Sequence, residues 1–359
     1  MTYERKNISA MTAYIPGEQI DSPGIIKLNT NENPYPPSPE VSKAMAVCDI
    51  DRLRQYPPPT AGTLQNSIAQ LHGLESANVI VTNGGDELLR MAIATFVEPG
   101  EKAAIARPTY TLYQVLADAH GAQMITFELD ANWKLPTNYG DLLNDSGAKL
   151  AFLVNPHAPS GTLLSLEEIS EVAANYNGVL LLDEAYIDFV DPDSAAGSEQ
   201  LLQTHDNILI LRTFSKGYSL AGMRMGYGLA KPSLIDPLMK TKDSYNTDLI
   251  SQALANAAIN DQVYARSTWD KVRNERGRVT ALLRDAGFTV PESQSNFILA
   301  TVPPGNSAEA IYQGLKDKKI LVRYFKNEDR LEDKLRITIG TPDENQSLLD
   351  ELAVILGAS

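Results

Sequence analysis

Residues Ile208 to Gly226 read ILILRTFSKGYSLAGMRMG, and this stretch decides the fold. Ile208 to Leu211 is a short uninterrupted apolar run, as expected of a strand buried on both faces of a parallel sheet. It breaks into Arg212-Thr213-Phe214-Ser215-Lys216 and then into small residues, so Lys216 falls just past the strand's carboxyl end. Open α/β sheets bind ligands at that edge. A lysine held there among apolar residues is partly desolvated, which lowers its pKa and makes its amine a usable nucleophile. Arg224 follows eight residues later, between Met223 and Met225. Thr213, Ser215, Lys216 and Arg224 together read as an anchor for a phosphate with a reactive amine beside it.

Outward from this stretch, strand-like and helix-like segments alternate between about 38 and 245. Strands are expected at 79–82, 102–106, 123–128, 149–154, 179–183, 208–212 and 225–230, and helices near 39–48, 62–73, 86–97, 109–120 and 166–176. That order predicts an α/β fold whose mostly parallel sheet carries helices on both faces. After Pro232 the character changes. Helical stretches at 248–286 lead into short strands at 297–302, 320–322 and 335–339 and a final amphipathic helix at 344–356, the pattern of a smaller α+β domain. Residues 1–37, rich in Pro, Asn and Gly (Tyr14-Ile15-Pro16-Gly17 among them), hold one strand candidate at 25–28. The expected organisation is an arm, 1–37, packing with the small domain, a large domain, 38–245, and a small domain, 246–359. The site is expected in the cleft between the domains.

Composition excludes several classes of function. A chain of 359 residues with 43% apolar content has a real core, and a net charge of -14 argues against nonspecific nucleic-acid binding. The single Cys48 excludes an intrachain disulfide and suits a reducing compartment. His72, His120, His157 and His205 lack metal-ligand spacing, so no metal is expected. The first ten residues lack a signal peptide's apolar run, and no stretch reaches the ~18 apolar residues of a membrane span. A cytoplasmic protein without membrane or nucleic-acid partners is expected.

Further motifs fall at other strand ends. Asn83-Gly84-Gly85-Asp86-Glu87 opens a helix whose first N–H groups can bind an anion, although ordinary strand-to-helix turns look alike. Asp183-Glu184-Ala185-Tyr186 ends strand 179–183, thirty-three residues before Lys216; an aspartate there can also simply cap a turn. Tyr110, in Arg107-Pro108-Thr109-Tyr110, shares a helical face with Tyr113 and Leu116, as a core aromatic would. Asn155-Pro156-His157-Ala158-Pro159-Ser160-Gly161 follows strand 149–154, and Tyr56 lies in Leu53-Arg54-Gln55-Tyr56-Pro57. Arg336 alternates with apolar neighbours on strand 335–339, and Arg323 ends Ile320-Leu321-Val322-Arg323. A guanidinium fork there suits a carboxylate or phosphate, or a structural ion pair.

Ser215-Lys216, the small-residue tract and Arg224 resemble the lysine segment of the aspartate aminotransferase superfamily, the fold-type I pyridoxal phosphate enzymes. With the other motifs, and with Leu28-Asn29-Thr30-Asn31-Glu32-Asn33-Pro34 in the arm, almost the whole chain is similar to the class II histidinol-phosphate aminotransferase family. The resemblance implies an aspartate-aminotransferase-like fold with a seven-stranded, mostly parallel sheet, and pyridoxal 5'-phosphate as cofactor. It implies that Lys216 carries the cofactor, Asp183 pairs with its ring nitrogen, Tyr110 stacks on the ring and Tyr186 bonds its phenolic oxygen. Gly84, Gly85, Asp86, Thr213, Ser215 and Arg224 are implied to hold its phosphate, with Tyr56 reaching in from the neighbouring subunit of a homodimer. Tyr14, Asn31, Arg323 and Arg336 are implied to bind substrate. Where many relatives read Asn-Pro-Thr-Gly, Ala158 precedes Pro159; Asn155 is the nearest amide able to replace the missing one, or Tyr186 holds the oxygen alone. The implied reaction takes small-molecule substrates, a phosphorylated amino alcohol (L-histidinol phosphate) with 2-oxoglutarate, to imidazole acetol phosphate and glutamate in histidine biosynthesis. Related enzymes transaminate phenylalanine or tyrosine or decarboxylate threonine phosphate. Aminotransferase-like domains also serve transcription regulators, for which a basic DNA-binding segment would be expected.

Overall fold

The computed structural model describes residues 3–14, 17–20, 22–194, 197–326 and 328–357; Ile15 and Pro16 of the arm lie outside them. Among the described residues, eleven strands form two sheets. The larger is built from β2 (Val79–Thr82), β3 (Lys102–Arg107), β4 (Gln123–Glu128), β5 (Ala148–Val154), β6 (Val179–Asp183), β7 (Ile208–Thr213) and β8 (Gly226–Ala230), in the order β2-β8-β7-β6-β5-β3-β4. Only β8 runs against its neighbours; the other pairings are parallel. The smaller sheet joins β1 (Ile26–Leu28), β9 (Phe297–Thr301), β10 (Ile320–Tyr324) and β11 (Lys334–Thr338), in the order β1-β10-β11-β9.

Why β6 and β7 read as unbroken apolar runs is visible in their packing. Leu180, Leu182, Ile208 and Ile210 enter one core cluster, while Leu181, Leu209 and Leu211 enter another. Alternate side chains point to opposite faces of a strand, so a sheet covered on both faces requires an apolar residue at every position. All six residues of β7 are buried. The parallel strands then deliver Arg107, Val154, Asp183 and Thr213 to one edge of the sheet.

Arg212, on β7 and 8% exposed, is held by the buried carboxylate of Glu184 and the partly buried one of Glu199. Its Nε donates to Glu184 Oε2 (2.8 Å) and its Nη2 to Glu199 Oε2 (2.8 Å), with His72 Nδ1 3.1 Å from Nη1. Glu184 is therefore committed to Arg212. Removing one member of a buried ion pair strands the others, which typically costs about 3–5 kcal/mol. Arg212→Ala is expected to lower unfolding free energy by that amount in urea titrations; a loss under 1 kcal/mol would mean that the network contributes little.

The two sheets are tied by the helix Gln262–Asp285. From its middle, Arg276 Nη1 donates to Phe189 O (2.8 Å) and Ser295 O (2.9 Å), and Nη2 to Asp191 Oδ1 (2.6 Å). The arm touches both sheets. Its β1 pairs parallel with β10, whereas near its start Arg5 and Asn7 donate to the carbonyls of Asp118 and Ala119 beside β4. The expected packing of the arm with the smaller sheet is joined by this second attachment, in which Arg5 and Asn7 donate to carbonyls at the end of the helix Leu112–His120.

Candidate active site

The turn after β7 is built by its own side chains. Thr213 Oγ1 donates to Met225 O (3.2 Å) and accepts from the Ser215 N–H (3.1 Å). Thr213 thus braces the loop. Thr213 was expected on a phosphate; here its hydroxyl is bonded to backbone in both directions. Ser215 Oγ instead faces Arg224, whose Nη1 lies at 3.4 Å.

Beside them the helix Gly84–Phe96 begins. Gly84 has φ +72°, and a Cβ there would lie 2.7 Å from Arg224 Nη2. A Cβ on Gly226 would lie 2.7 Å from the Gly84 carbonyl carbon, so only glycine lets β8 approach the helix start. Arg224 itself is a left-handed residue (φ 52°), and its Nη2 reaches Asp86 Oδ2 at 3.4 Å. Four groups converge here: the helix N–H groups at Gly84 and Gly85, the Ser215 hydroxyl and the half-exposed Arg224 guanidinium. This is an anion cup.

Lys216 Nζ lies partly buried past the cup. It donates to Thr30 O (2.9 Å) and sits 5.9 Å from the centre of the Tyr186 ring. Burial, seconded by Arg336 and Arg224, pulls its pKa down to about 8. Asp183, 6% exposed, accepts from the Tyr113 hydroxyl (2.5 Å) at Oδ2 and from the Ala185 N–H (3.1 Å) at Oδ1. Burial pushes it up to about 6 against those two bonds. Tyr113 is a site residue that the sequence offered only as core. It is fully buried, stacks on Phe152 (4.7 Å between centroids) and meets Tyr110 edge-on (5.5 Å), and Tyr110 in turn meets Tyr14 edge-on (5.7 Å). The three-residue step from Tyr110 to Tyr113 was the available signal.

The smaller sheet supplies the cations. Arg323 and Arg336 are directly paired across β10 and β11. Like charges facing one another across strands destabilise a sheet, and among the described residues neither arginine is in an ion pair. Arg336 Nη2 donates to Asn29 O (3.1 Å), while its buried Nε has no partner. Its guanidinium lies 5.3 Å from the Phe297 ring centre. Burial, and then Arg323, pull the Arg336 pKa down against the countering Tyr186. An anionic ligand could compensate such an arrangement.

Asn31 belongs to the same wall: its Nδ2 donates to the Tyr186 hydroxyl (3.0 Å). Asn155 does not. Its Oδ1 accepts from the Leu164 N–H (2.8 Å) and its Nδ2 donates to Leu164 O (3.3 Å), so the amide is spent on its own loop. It lines, with Glu184 and Ser198, a cavity of about 150 Å³ that includes neither Lys216 nor Tyr186. Asn155 was expected to replace the side chain missing at Ala158; here its amide is bonded within its own loop. Tyr56 stands apart, 80% exposed and stacked on Tyr245 at 4.4 Å.

The cup, amine, buried carboxylate and unpaired guanidinium fit a phosphorylated aldehyde cofactor with a basic ring nitrogen. They define a transaminase-type site, and comparison with known proteins agrees: the profile of the family "Aminotransferase class I and II" matches residues 23–352, and the chain belongs to that family. Within it, the chain is 43% identical over 355 residues to histidinol-phosphate aminotransferase 1 of Nostoc sp., covering 99% of this chain and 98% of that one. It is 41% identical over 352 residues to the histidinol-phosphate aminotransferase of Geotalea daltonii, covering 98% and 99%. The solved histidinol-phosphate aminotransferase of Sinorhizobium meliloti, in complex with pyridoxal-5'-phosphate, superposes with a TM-score of 0.89 at 24% identity, over 100% of this chain and 98% of that one. Among the described residues, no helix is long and apolar enough to cross a membrane, and no group of His, Cys, Asp and Glu is placed to hold a metal.

Proposed function

We propose that this chain is a pyridoxal-phosphate-dependent transaminase that converts L-histidinol phosphate and 2-oxoglutarate to imidazole acetol phosphate and glutamate. The observation that carries the reading is the pairing of Arg323 with Arg336, whose charge helps to lower the Lys216 pKa: two uncompensated cations suit a substrate phosphate and, in the second half-reaction, a dicarboxylate. Relatives above 40% identity along nearly the whole chain support the substrate.

When bound, pyridoxal phosphate supplies an aldehyde that exchanges amino groups and a ring that accepts electrons. Ser215, Arg224 and the N–H groups of Gly84 and Gly85 hold its phosphate. Lys216 would hold its aldehyde carbon, and its amine would serve as the base for the proton on the substrate's amine-bearing carbon. Asp183 keeps a proton on the ring nitrogen, and Tyr110 covers the ring. Tyr186 donates to the phenolic oxygen. Arg323 and Tyr14 take the substrate phosphate, and Arg336 takes glutamate's carboxylate.

We divide the chain into an arm, 1–37, a large domain, 38–245, and a small domain, 246–359, in a cytoplasmic homodimer. Met45, Val47, Ile50, Leu53, Tyr56 and Tyr245 are exposed large apolar residues, five of them within one short segment. A monomer rarely leaves such a patch uncovered, which supports a second copy covering it and Tyr56 serving the partner's site.

Arg323→Gln tests the substrate assignment. Losing one charge-assisted contact, worth about 1.5–3 kcal/mol, should raise KM for histidinol phosphate roughly 10- to 100-fold. The change should leave kcat and the bound cofactor's absorbance nearly untouched. An unchanged KM would remove Arg323 from the phosphate site.

A further inference from the structure

Asn31 is 1% exposed, left-handed (φ 56°) and hydrogen-bonded through every polar group it has. Its backbone N–H donates to Thr338 Oγ1 (3.0 Å), and its carbonyl accepts from Asn296 Nδ2 (3.0 Å). Its Oδ1 accepts from the Thr338 hydroxyl (3.0 Å), and its Nδ2 donates to the Tyr186 hydroxyl (3.0 Å).

These four bonds fix a direction. Thr338 Oγ1 accepts from the backbone N–H and gives its own proton to the Asn31 side chain, which is assigned with its oxygen toward Thr338, the orientation that leaves every one of these groups bonded. The amide nitrogen therefore faces Tyr186. An amide nitrogen only donates, so the Tyr186 oxygen accepts, and its proton must point away from Asn31. Phe297 meets the Tyr186 ring edge-on (4.9 Å between centroids) and offers no acceptor. The charged and titratable groups around the ring are Lys216, Arg336, Asp183, Tyr14, Tyr110 and Tyr113. Ala158, buried at the neighbouring strand end, has no side-chain donor with which to share the task.

We propose that Asn31 is a positioning residue that aims the Tyr186 hydroxyl proton into the active site and strengthens that hydroxyl as a donor. The hydroxyl becomes a better donor because it accepts from the amide while it gives. Thr338 belongs to β11 of the smaller sheet and Tyr186 follows β6 of the larger. The strength of the hydroxyl donor thus depends on the arm segment at Asn31 being seated between the two sheets. This inference rests on the proposed function, in which the acceptor is the cofactor's phenolic oxygen.

The test uses the full chain loaded with pyridoxal phosphate and reads the pH titration of the bound cofactor's visible absorbance, together with cofactor retained after dialysis. Asn31→Ala, Asn31→Asp, Tyr186→Phe and Asn31→Ala/Tyr186→Phe are compared with the wild type. Asn31→Asp keeps the shape and the left-handed tolerance but presents only acceptors, so it should draw the Tyr186 proton away from the site. Each single change should move the titration midpoint in the same direction, by half a pH unit or more. The double variant should match Tyr186→Phe alone, since Asn31 acts through that hydroxyl. Midpoints of the Asn31 variants that coincide with the wild type would overturn the inference and leave the proposed function standing. Effects of Asn31→Ala and Tyr186→Phe that add would overturn it likewise. A wild-type chain that takes up no cofactor would overturn both.

Discussion

Lys216→Ala is expected to lower the transamination rate by roughly 10⁴-fold or more while leaving the chain folded. Proton transfer by a positioned side chain alone contributes up to about 10⁴, and this lysine is assigned the tether as well. Folding should survive because Lys216 makes one polar contact, to Thr30 O, and its ammonium is held where burial disfavours charge. The same burial sets a pH dependence. With a pKa of about 8, against 10.5 in the open, roughly a tenth of the amine is neutral at pH 7. The neutral form attacks the aldehyde, so the rate of cofactor uptake by the apoprotein should rise about tenfold from pH 6 to 7, rise further to pH 8, and level off above it. Uptake that keeps climbing to pH 10 would mean that Lys216 is solvated like a surface lysine. Residual transamination within tenfold of wild type in Lys216→Ala would remove the lysine from the reaction.

Asp183→Asn should cost roughly 10²- to 10³-fold in kcat, the scale of losing one preorganised electrostatic group. Asparagine fills the same space. It can still accept from the Ala185 N–H while its amide donates to the Tyr113 oxygen, because a hydroxyl serves either role. The variant should therefore bind cofactor, with an altered visible spectrum, and fail at proton abstraction. A rate within threefold of wild type would show that Asp183 does not hold the ring nitrogen's proton.

The larger sheet was legible because burial on both faces writes itself as continuous apolar runs, as in Leu180 to Leu182 and Ile208 to Leu211. Family resemblance added roles to the residues that end those runs. Besides the five-residue helix Lys6–Ala10, three helices went unread: Tyr139–Ser146, Pro232–Thr241 and Ala308–Asp317. Pro237 inside the second argues locally against a helix, and tertiary packing of Ile235 and Leu238 overrides it. What sequence reading could not foresee is which partners the polar atoms of several site candidates meet. Thr213 and Asn155 look like ligand donors until the backbone at Met225 and Leu164 claims them. Asn31 and Thr338 lie 307 positions apart, and no local pattern announces that they share a proton. Tyr113 was readable as a core aromatic; its bond to Asp183 depends on how the helix Leu112–His120 sits over β6.

The most direct test of the substrate reading is a single-turnover experiment on the cofactor-loaded chain. The chain is mixed separately with histidinol phosphate, phenylalanine and threonine phosphate, and the loss of visible absorbance is followed together with release of carbon dioxide. The account predicts fast bleaching by histidinol phosphate, with phenylalanine at least tenfold slower and no carbon dioxide from threonine phosphate. Faster bleaching by phenylalanine, or decarboxylation of threonine phosphate, would contradict it and reassign Arg323.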